Sequence, residues 1–439
     1  MSVLAFRGGA KTVTADPGDA FKWPIINQEM EDGVLQVLRE GNMSGTNITK
    51  EFEAKFAEWN KCKYALAHNT GTASLQSAMF GVGVGFGDEV ICPSITYWAS
   101  GLPAMQLGAT VVFCDIDKDT LCIDPVDFEK RITPRTKAVV VVHYCSYPAP
   151  MDEIMAVARK HNIKVIEDVS HAQGGYYKGQ MLGTFGDVAA MSLMSGKSFA
   201  IGEGGILVTN DREIYERAML WGHYERSADI TLPGLTEYKG LPAGGYKYRM
   251  HQLSSVVGLA QLKKYDREIA EIDQAMNYFW DKLEGVPGLR SHRPTDKGST
   301  KGGWYCAKGL YCAEELHGLS MGRFCDAVIA EGCGCRPGCN SPLHHHALFN
   351  TFDIFNQGQA KNIAFNAAGE AALTKFDDLP VSNAAPNYTF YVPWFKKFRP
   401  ELIDQYVAAI KKVVENHEEL LADDPKEVFK GSWFQTARR

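Results

Sequence analysis

Between Tyr64 and Thr209 the chain alternates short, almost continuously apolar runs with stretches of helical character, and this alternation restricts its fold more than any other feature. The runs are Tyr64–His68, Asp88–Cys92, Thr110–Cys114, Lys137–His143, Lys164–Asp168, Val188–Leu193 and Gly205–Thr209, the fourth being nearly pure valine. A strand with one wet face alternates in polarity, whereas a strand covered on both faces reads apolar throughout. Helical segments at Thr72–Phe80, Trp98–Leu107 and Met151–His161 fall between several of the runs. This order predicts an α/β fold with a mostly parallel mixed sheet sandwiched by helices.

At 439 residues the chain is too long for one compact core, so two units are expected. Residues 1–50 read as an N-terminal arm with a polar helix at Gln28–Arg39, and 51–270 as the large domain. In Ser254–Leu283, apolar residues such as Val257, Leu262, Tyr265, Ile269, Ile272, Met276 and Phe279 recur at helical spacing. This predicts one long amphipathic helix leading into the C-terminal small domain. That domain, 271–439, is expected to be α+β and to end in a helix over Glu401–Leu421.

Composition excludes some functions. The net charge of -6 argues against a nucleic-acid partner, because binding a phosphate backbone normally calls for a basic excess. No apolar tract reaches the length that crosses a membrane, and the first thirty residues lack a secretory pattern. The 11 cysteines are odd in number and scattered, which suits a reducing cytoplasm and not a disulfide scaffold.

Candidate chemistry gathers at predicted strand ends. Asp168 closes Lys-Val-Ile-Glu-Asp, and in an open parallel sheet ligands sit beyond the carboxyl ends of the strands. Taken alone, Asp168 reads equally as a turn or cap residue. Lys197 lies between the strand ending near Leu193 and the glycine-rich stretch Gly202-Glu203-Gly204-Gly205. Most such lysines are solvated, but one held in an apolar pocket loses its charge readily and forms Schiff bases. Asn69-Thr70-Gly71-Thr72-Ala73-Ser74 joins a strand to a helix, so its amides form either a simple cap or an anion cradle. The run Gly81–Gly87 follows a helix and precedes a strand, the wrong order for a dinucleotide fingerprint, and is read as a turn. An amine, a carboxylate and an amide cradle are together what pyridoxal phosphate needs for its aldehyde, ring nitrogen and phosphate.

Six motifs in order carry a resemblance to a known family. They are Gly-Thr-Ala at 71–73, Gly-Asp-Glu-Val at 87–90, Pro-Ser-Ile-Thr-Tyr at 93–97, Glu-Asp-Val-Ser-His-Ala-Gln-Gly at 167–174, Ser-Leu-Met-Ser-Gly-Lys with Gly-Glu-Gly-Gly at 192–205, and Gly-Tyr-Lys-Tyr-Arg-Met at 245–250. The sequence resembles the DegT/DnrJ/EryC1/StrS sugar and cyclitol aminotransferases, of pyridoxal-phosphate fold type I. The resemblance implies that Lys197 is the Schiff-base lysine and Asp168 the partner of the ring nitrogen. It implies Tyr97 as the ring stacked on the cofactor, His171 beside its phenolic oxygen, and Gly71, Thr72, Ala73 and Ser192 around its phosphate. Lys247 falls where relatives usually have an Asn that reaches the phosphate from the neighbouring subunit, implying a homodimer with shared sites. At 143–148, His-Tyr-Cys-Ser-Tyr-Pro replaces the common Tyr-Gly-Gln-Pro, so substrate contacts are expected to differ there.

The implied reaction moves an amino group from Gln or Glu to a keto-cyclitol or keto-sugar. The opening Leu4-Ala5-Phe6-Arg7-Gly8-Gly9 resembles family members acting on inososes, and Trp304, His344 and Trp394 are expected to narrow the pocket around a small polyol. The alternatives are a nucleotide-linked keto-sugar acceptor, a pyridoxamine-dependent dehydratase, and a non-catalytic homologue. Such dehydratases replace the lysine with His, and Lys197 argues against that reading. Cys333, Cys335, Cys339 and His344–His346 are dense enough to suggest zinc. The cysteine spacing is not a common zinc signature, so no metal is expected, and these histidines are expected in the substrate pocket or at the surface.

Overall fold

The computed structural model describes residues 3–351, 353, 356, 362–365, 371–373 and 378–433. A seven-stranded sheet is built from β1 (Tyr64–His68), β2 (Glu89–Pro93), β3 (Thr110–Cys114), β4 (Thr136–Val142), β5 (Lys164–Asp168), β6 (Val188–Ser192) and β7 (Gly205–Thr209). Its order is β1-β7-β6-β5-β4-β2-β3. The segment β3-β2-β4-β5-β6 is parallel throughout, and β7 runs antiparallel to both β6 and β1. The fold is therefore the expected mixed α/β one, with an antiparallel insertion near one edge. Val139, Val140 and Val141 of β4 are fully buried, as a strand covered on both faces requires.

Three helices precede or follow β1. These are α1 (Gln28–Arg39), α2 (Asn47–Asn60) and α3 (Gly71–Gly81). The sequence reading missed α2, which crosses position 50 and buries Phe52 and Phe56 against the large core. The helix expected at Trp98–Leu107 is instead a 3-10 turn, Trp98–Ser100, followed by a short helix, Leu102–Gln106. Gly101 is a weak helix former, and Pro103 has no amide to continue the earlier turn.

The long helix α4 (Gln252–Lys282) spans 31 residues and serves two cores. Tyr265 belongs to the core around the large sheet, and Ile272, Met276 and Phe279 belong to a second core. Each large side chain so buried contributes about 1.5–3 kcal/mol, which anchors the helix at both ends. The second core lies beside a small antiparallel sheet of β8 (Leu289–Ser291), β9 (Lys308–Tyr311), β10 (Arg336–Pro337) and β11 (Thr389–Tyr391), ordered β8-β9-β11-β10. The C-terminal helix α5 (Pro400–Glu415) gives way to a 3-10 turn, His417–Leu420, so the predicted helix ends early. Leu4 and Ala20 also lie in this second core.

Candidate active site

Strand register brings the predicted residues to one edge. Asp168 pairs with Val142 on one side and Ala190 on the other, so the ends of β4, β5 and β6 align. Gly205, at the start of antiparallel β7, pairs with both Ser192 and His68. This draws the turn after β1 beside the end of β6. A Cβ on Gly205 would lie 2.3 Å from the Thr70 carbonyl oxygen, and one on Gly71 would lie 2.6 Å from the Ser192 Cβ. Only glycine permits either approach. The Thr70 hydroxyl caps α3 by accepting from the Ala73 amide at 3.0 Å. The first amides of α3, those of Gly71 and Thr72, have no carbonyl partner within their own helix and sit next to Ser192.

Asp168 is buried, and its carboxylate accepts from Ser100 Oγ at 2.8 Å and from the Ser170 amide at 3.1 Å. Ser170 Oγ in turn accepts from the Ser192 amide at 2.9 Å, tying β5 to the phosphate-cradle candidates. Lys197 is 8 % exposed, and its Nζ lies 4.1 Å from the centre of the Tyr305 ring. Its carbonyl accepts from Trp23 Nε1 at 2.8 Å. Burial pushes the Lys197 ammonium down from the ordinary lysine range, opposed by the nearby Cys306, Asp168 and Cys145 groups. A lysine so placed gives up its proton readily and becomes a nucleophile.

His171 is buried, and its Nδ1 accepts from the Cys145 amide at 3.2 Å. That bond leaves the proton on Nε2 in the neutral ring. Burial first, and then repulsion from Lys197, hold His171 well below the usual imidazole range, so it is neutral at physiological pH. Tyr97 is 40 % exposed beside Trp98, with ring centres 4.9 Å apart. Lys247 is exposed, its Nζ 5.7 Å from the Tyr224 ring centre, and among the described residues no contact joins it to Lys197, Asp168 or Ser192.

The structure adds residues that the sequence reading missed. Ser146 Oγ bonds the carbonyls of His171 and Tyr305, at 2.5 and 3.0 Å, clamping the turn after β4 to the segment before β9. Cys145, Ser146, Trp304 and Cys306 on these facing segments all have positive φ, of 48°, 67°, 56° and 58°. Such strain costs about 1–3 kcal/mol per residue and clusters at functional sites. The Cys145 and Cys306 side chains are thiols, not a disulfide, and share a hydrogen bond. Burial opposes the Cys306 thiolate, but Cys145, the Lys197 and Lys308 charges and Tyr305 together bring this thiol down to about 7. The unusual stretch 143–148 signalled Cys145. Nothing local in the sequence signalled Tyr305 or Cys306.

Of the three residues expected to narrow the pocket, Trp394 meets Tyr305 edge-to-face, with ring centres 5.7 Å apart. Trp304 is instead buried in the second core, its Nε1 donating to Asp273 at 2.7 Å. His344 Nδ1 lies 2.6 Å from Ser94 Oγ, just beyond β2. Cys335 Sγ lies 3.2 Å from Cys325 Sγ, and Cys339 bonds Asn340. Among the described residues, Cys333, Cys335, Cys339 and His344–His346 do not converge on one metal-binding point.

The sequence profile of the DegT/DnrJ/EryC1/StrS aminotransferase family matches residues 24–411. The chain is 39% identical over 234 residues to a GDP-perosamine synthase of Escherichia coli, covering 52% of this chain and 62% of that protein. It is 30% identical over 339 residues to a protein of Micromonospora echinospora named as an L-glutamine:3-amino-2,3-dideoxy-scyllo-inosose aminotransferase, covering 75% and 78% of the two. The crystal structure of an aminotransferase from Psychrobacter cryohalolentis superimposes with a TM-score of 0.77 at 28% identity, covering 90% of this chain and 98% of that one.

Proposed function

The chain belongs to the DegT/DnrJ/EryC1/StrS aminotransferase family, a family of pyridoxal-5'-phosphate-dependent transaminases of fold type I, and on that premise we propose that Lys197 holds the cofactor and moves the reacting proton. The observation that carries this reading is a buried amine whose surroundings favour its neutral form, beside a buried carboxylate and an aromatic face. The residues fit the group. Asp168 would offer its carboxylate to the ring nitrogen, and His171 its neutral Nε2–H to the phenolic oxygen. The start of α3 at Gly71, Thr72 and Ala73, with Ser192, offers donors to the phosphate. Tyr97 supplies a flat wall. Lys247, exposed in one chain, suits a phosphate contact across a homodimer interface.

When bound, pyridoxal phosphate supplies an electron sink for the pair left on the substrate's reacting carbon. Asp168 would keep a proton on the ring nitrogen, which strengthens that sink. Lys197, once its amine is free, would take the proton from the substrate's reacting carbon and return it to the carbon on the far side of the nitrogen, two atoms away. The buried surroundings of Lys197 ease the loss of its proton and so ready the amine to accept one.

We infer Gln or Glu as the amino donor, and a ketone on a free cyclitol or sugar as the acceptor. The named scyllo-inosose relative favours a cyclitol, while the GDP-perosamine synthase keeps a nucleotide-linked sugar as the second reading. Two experiments test this. The pyridoxamine form, mixed in single turnovers with scyllo-inosose, free keto sugars and nucleotide-linked keto sugars, should react fastest with one of the first two. Reaction with the nucleotide-linked compounds alone overturns the acceptor. Borohydride reduction followed by peptide mapping should place the cofactor on Lys197. A protein with no cofactor absorption under saturating pyridoxal phosphate is a non-catalytic homologue.

A further inference from the structure

Away from Lys197, two turns of the second core bring together three side chains that the transamination does not use. His317 follows the 3-10 turn Ala313–Leu316 and has φ 52° and ψ 32°. His417 and Glu418 open the 3-10 turn after α5. The turns are anchored by Leu316 and Leu420, both fully buried, so the three polar groups are displayed on a fixed base.

We propose that His317, His417 and Glu418 form a binding site for a divalent transition metal of the zinc class, which clips these two turns together. The ligand atoms all lie within 4.8 Å of one another. His417 Nε2 is 3.4 Å from His317 Nδ1, and His317 Nδ1 is 3.4 Å from Glu418 Oε1. Zinc holds nitrogen and oxygen donors at about 2.0–2.2 Å in a tetrahedron. At the tetrahedral angle, two donors on bonds of about 2.0–2.1 Å stand about 3.3–3.4 Å apart, which matches both spacings that involve His317 Nδ1; the exposed Glu418 side chain can rotate to bring its carboxylate to His417. A hydrogen bond at that separation is poor.

The tautomer also fits. His417 Nδ1 lies 2.7 Å from the Val414 carbonyl oxygen, which fixes its proton there and leaves the Nε2 lone pair facing His317. An imidazole oriented by a backbone carbonyl through its other nitrogen is the usual arrangement of a metal ligand. Lys426, whose ammonium reaches the carbonyl of Gly318, next to His317, is held by Asp424 at 3.0 Å, which offsets its charge near the site. Two nitrogens and one carboxylate select zinc or a similar ion over magnesium or calcium, which prefer oxygen alone. His317 and Glu418 side chains are 63% and 73% exposed, so water can fill the fourth position.

The test uses the holoenzyme, reduced and stripped with chelator, in equilibrium dialysis against Zn2+. His317→Ala and His417→Ala should each bind one Zn2+ fewer per chain than the wild type, with circular dichroism and cofactor absorption unchanged. Zinc should raise the thermal midpoint of the wild type more than that of either variant. Crystals soaked in Zn2+ should give an anomalous peak within bonding distance of all three side chains, an arm that does not depend on the variants folding. Equal zinc stoichiometry in wild type and variants, or soaked crystals with no anomalous peak at the triad, overturns the proposal.

Discussion

The two sides of the Lys197 cleft are built by different means. The floor is the carboxyl edge of the large sheet, where Asp168, Ser192 and the start of α3 are fixed by strand register and by two glycines that let backbones touch. The opposing wall is the pair of segments carrying Cys145, Ser146, Tyr305 and Cys306, fixed by side-chain clamps and strained backbone. A regular sheet places its groups without local strain. Irregular segments stay in place only where surrounding packing overdetermines them. The difference teaches how each side is held: the floor by regular register, the wall by side-chain clamps and packing.

The largest effect should come from the floor. Lys197→Ala should lose the borohydride-trapped cofactor and lower turnover by about 10²–10⁴-fold or more. Asp168→Asn should keep the cofactor but lower turnover by about a hundredfold, on the scale of a lost acid–base contribution, because an amide cannot hold the ring nitrogen protonated. Steady-state kinetics and absorption spectra check both. Near-normal turnover in either variant erases the division between floor and wall.

The wall should answer more gently. Tyr305→Ala removes the ring packed against Lys197 Nζ and the His171 ring, aromatic packing worth about 1 kcal/mol and so several-fold in turnover. Tyr305→Phe should stay near the wild type, since the ring and not the hydroxyl faces the amine. A loss in Tyr305→Phe equal to that in Tyr305→Ala would move the role to the phenol and sharpen the account of the wall.

The same contrast governs how much the sequence revealed. Strands β1, β3, β5 and β7 have the ends that the apolar runs predict, because a doubly buried strand writes its burial into consecutive residues. The positions of Asp168 and Lys197 beside a run and a glycine-rich turn could be read locally, but locally each reads as an ordinary cap or surface residue, and their expected roles came from the motifs' resemblance. Tyr305 and Cys306 reach the site through a positive-φ chain path and a clamp from Ser146, more than 150 residues away, and no local pattern records that. His317 and His417 stand 100 residues apart, and their pairing likewise depends on how two turns pack. The dense cysteines and histidines at 333–346 drew attention to metal, yet density in sequence did not become convergence in space. Helix α2 was missed because its buried face is only Phe52, Phe56 and a few small or polar residues, within a charged segment.

The smallest effect concerns a second buried amine behind the wall. Lys301 is fully buried; its Nζ lies 3.0 Å from His292 Nδ1 and donates to the His292 carbonyl at 2.7 Å. Burial lowers this lysine from 10.5 to about 7, although the neighbouring Cys145, Cys122, Cys306 and Asp273 groups oppose the shift. The unfolded chain holds the same proton up to about pH 10.4. Between those limits the unfolded state therefore binds more protons, and stability rises with pH by up to about 1.4 kcal/mol per unit from this one group. Below the lower limit both states are protonated, and the full cost of burying the charge is felt. Lys301→Met removes the titration while keeping an apolar stem of similar length. Urea unfolding of the two proteins at a series of pH values should give curves that diverge between about pH 7 and pH 10, the wild type gaining stability faster. His292 does not blur the comparison: burial keeps it neutral when folded, and when unfolded it loses its proton near pH 6.5, below the window. Parallel curves would mean that Lys301 stays charged in the folded protein, and the wall would then be held by buried ion–dipole contacts, not by a neutral amine.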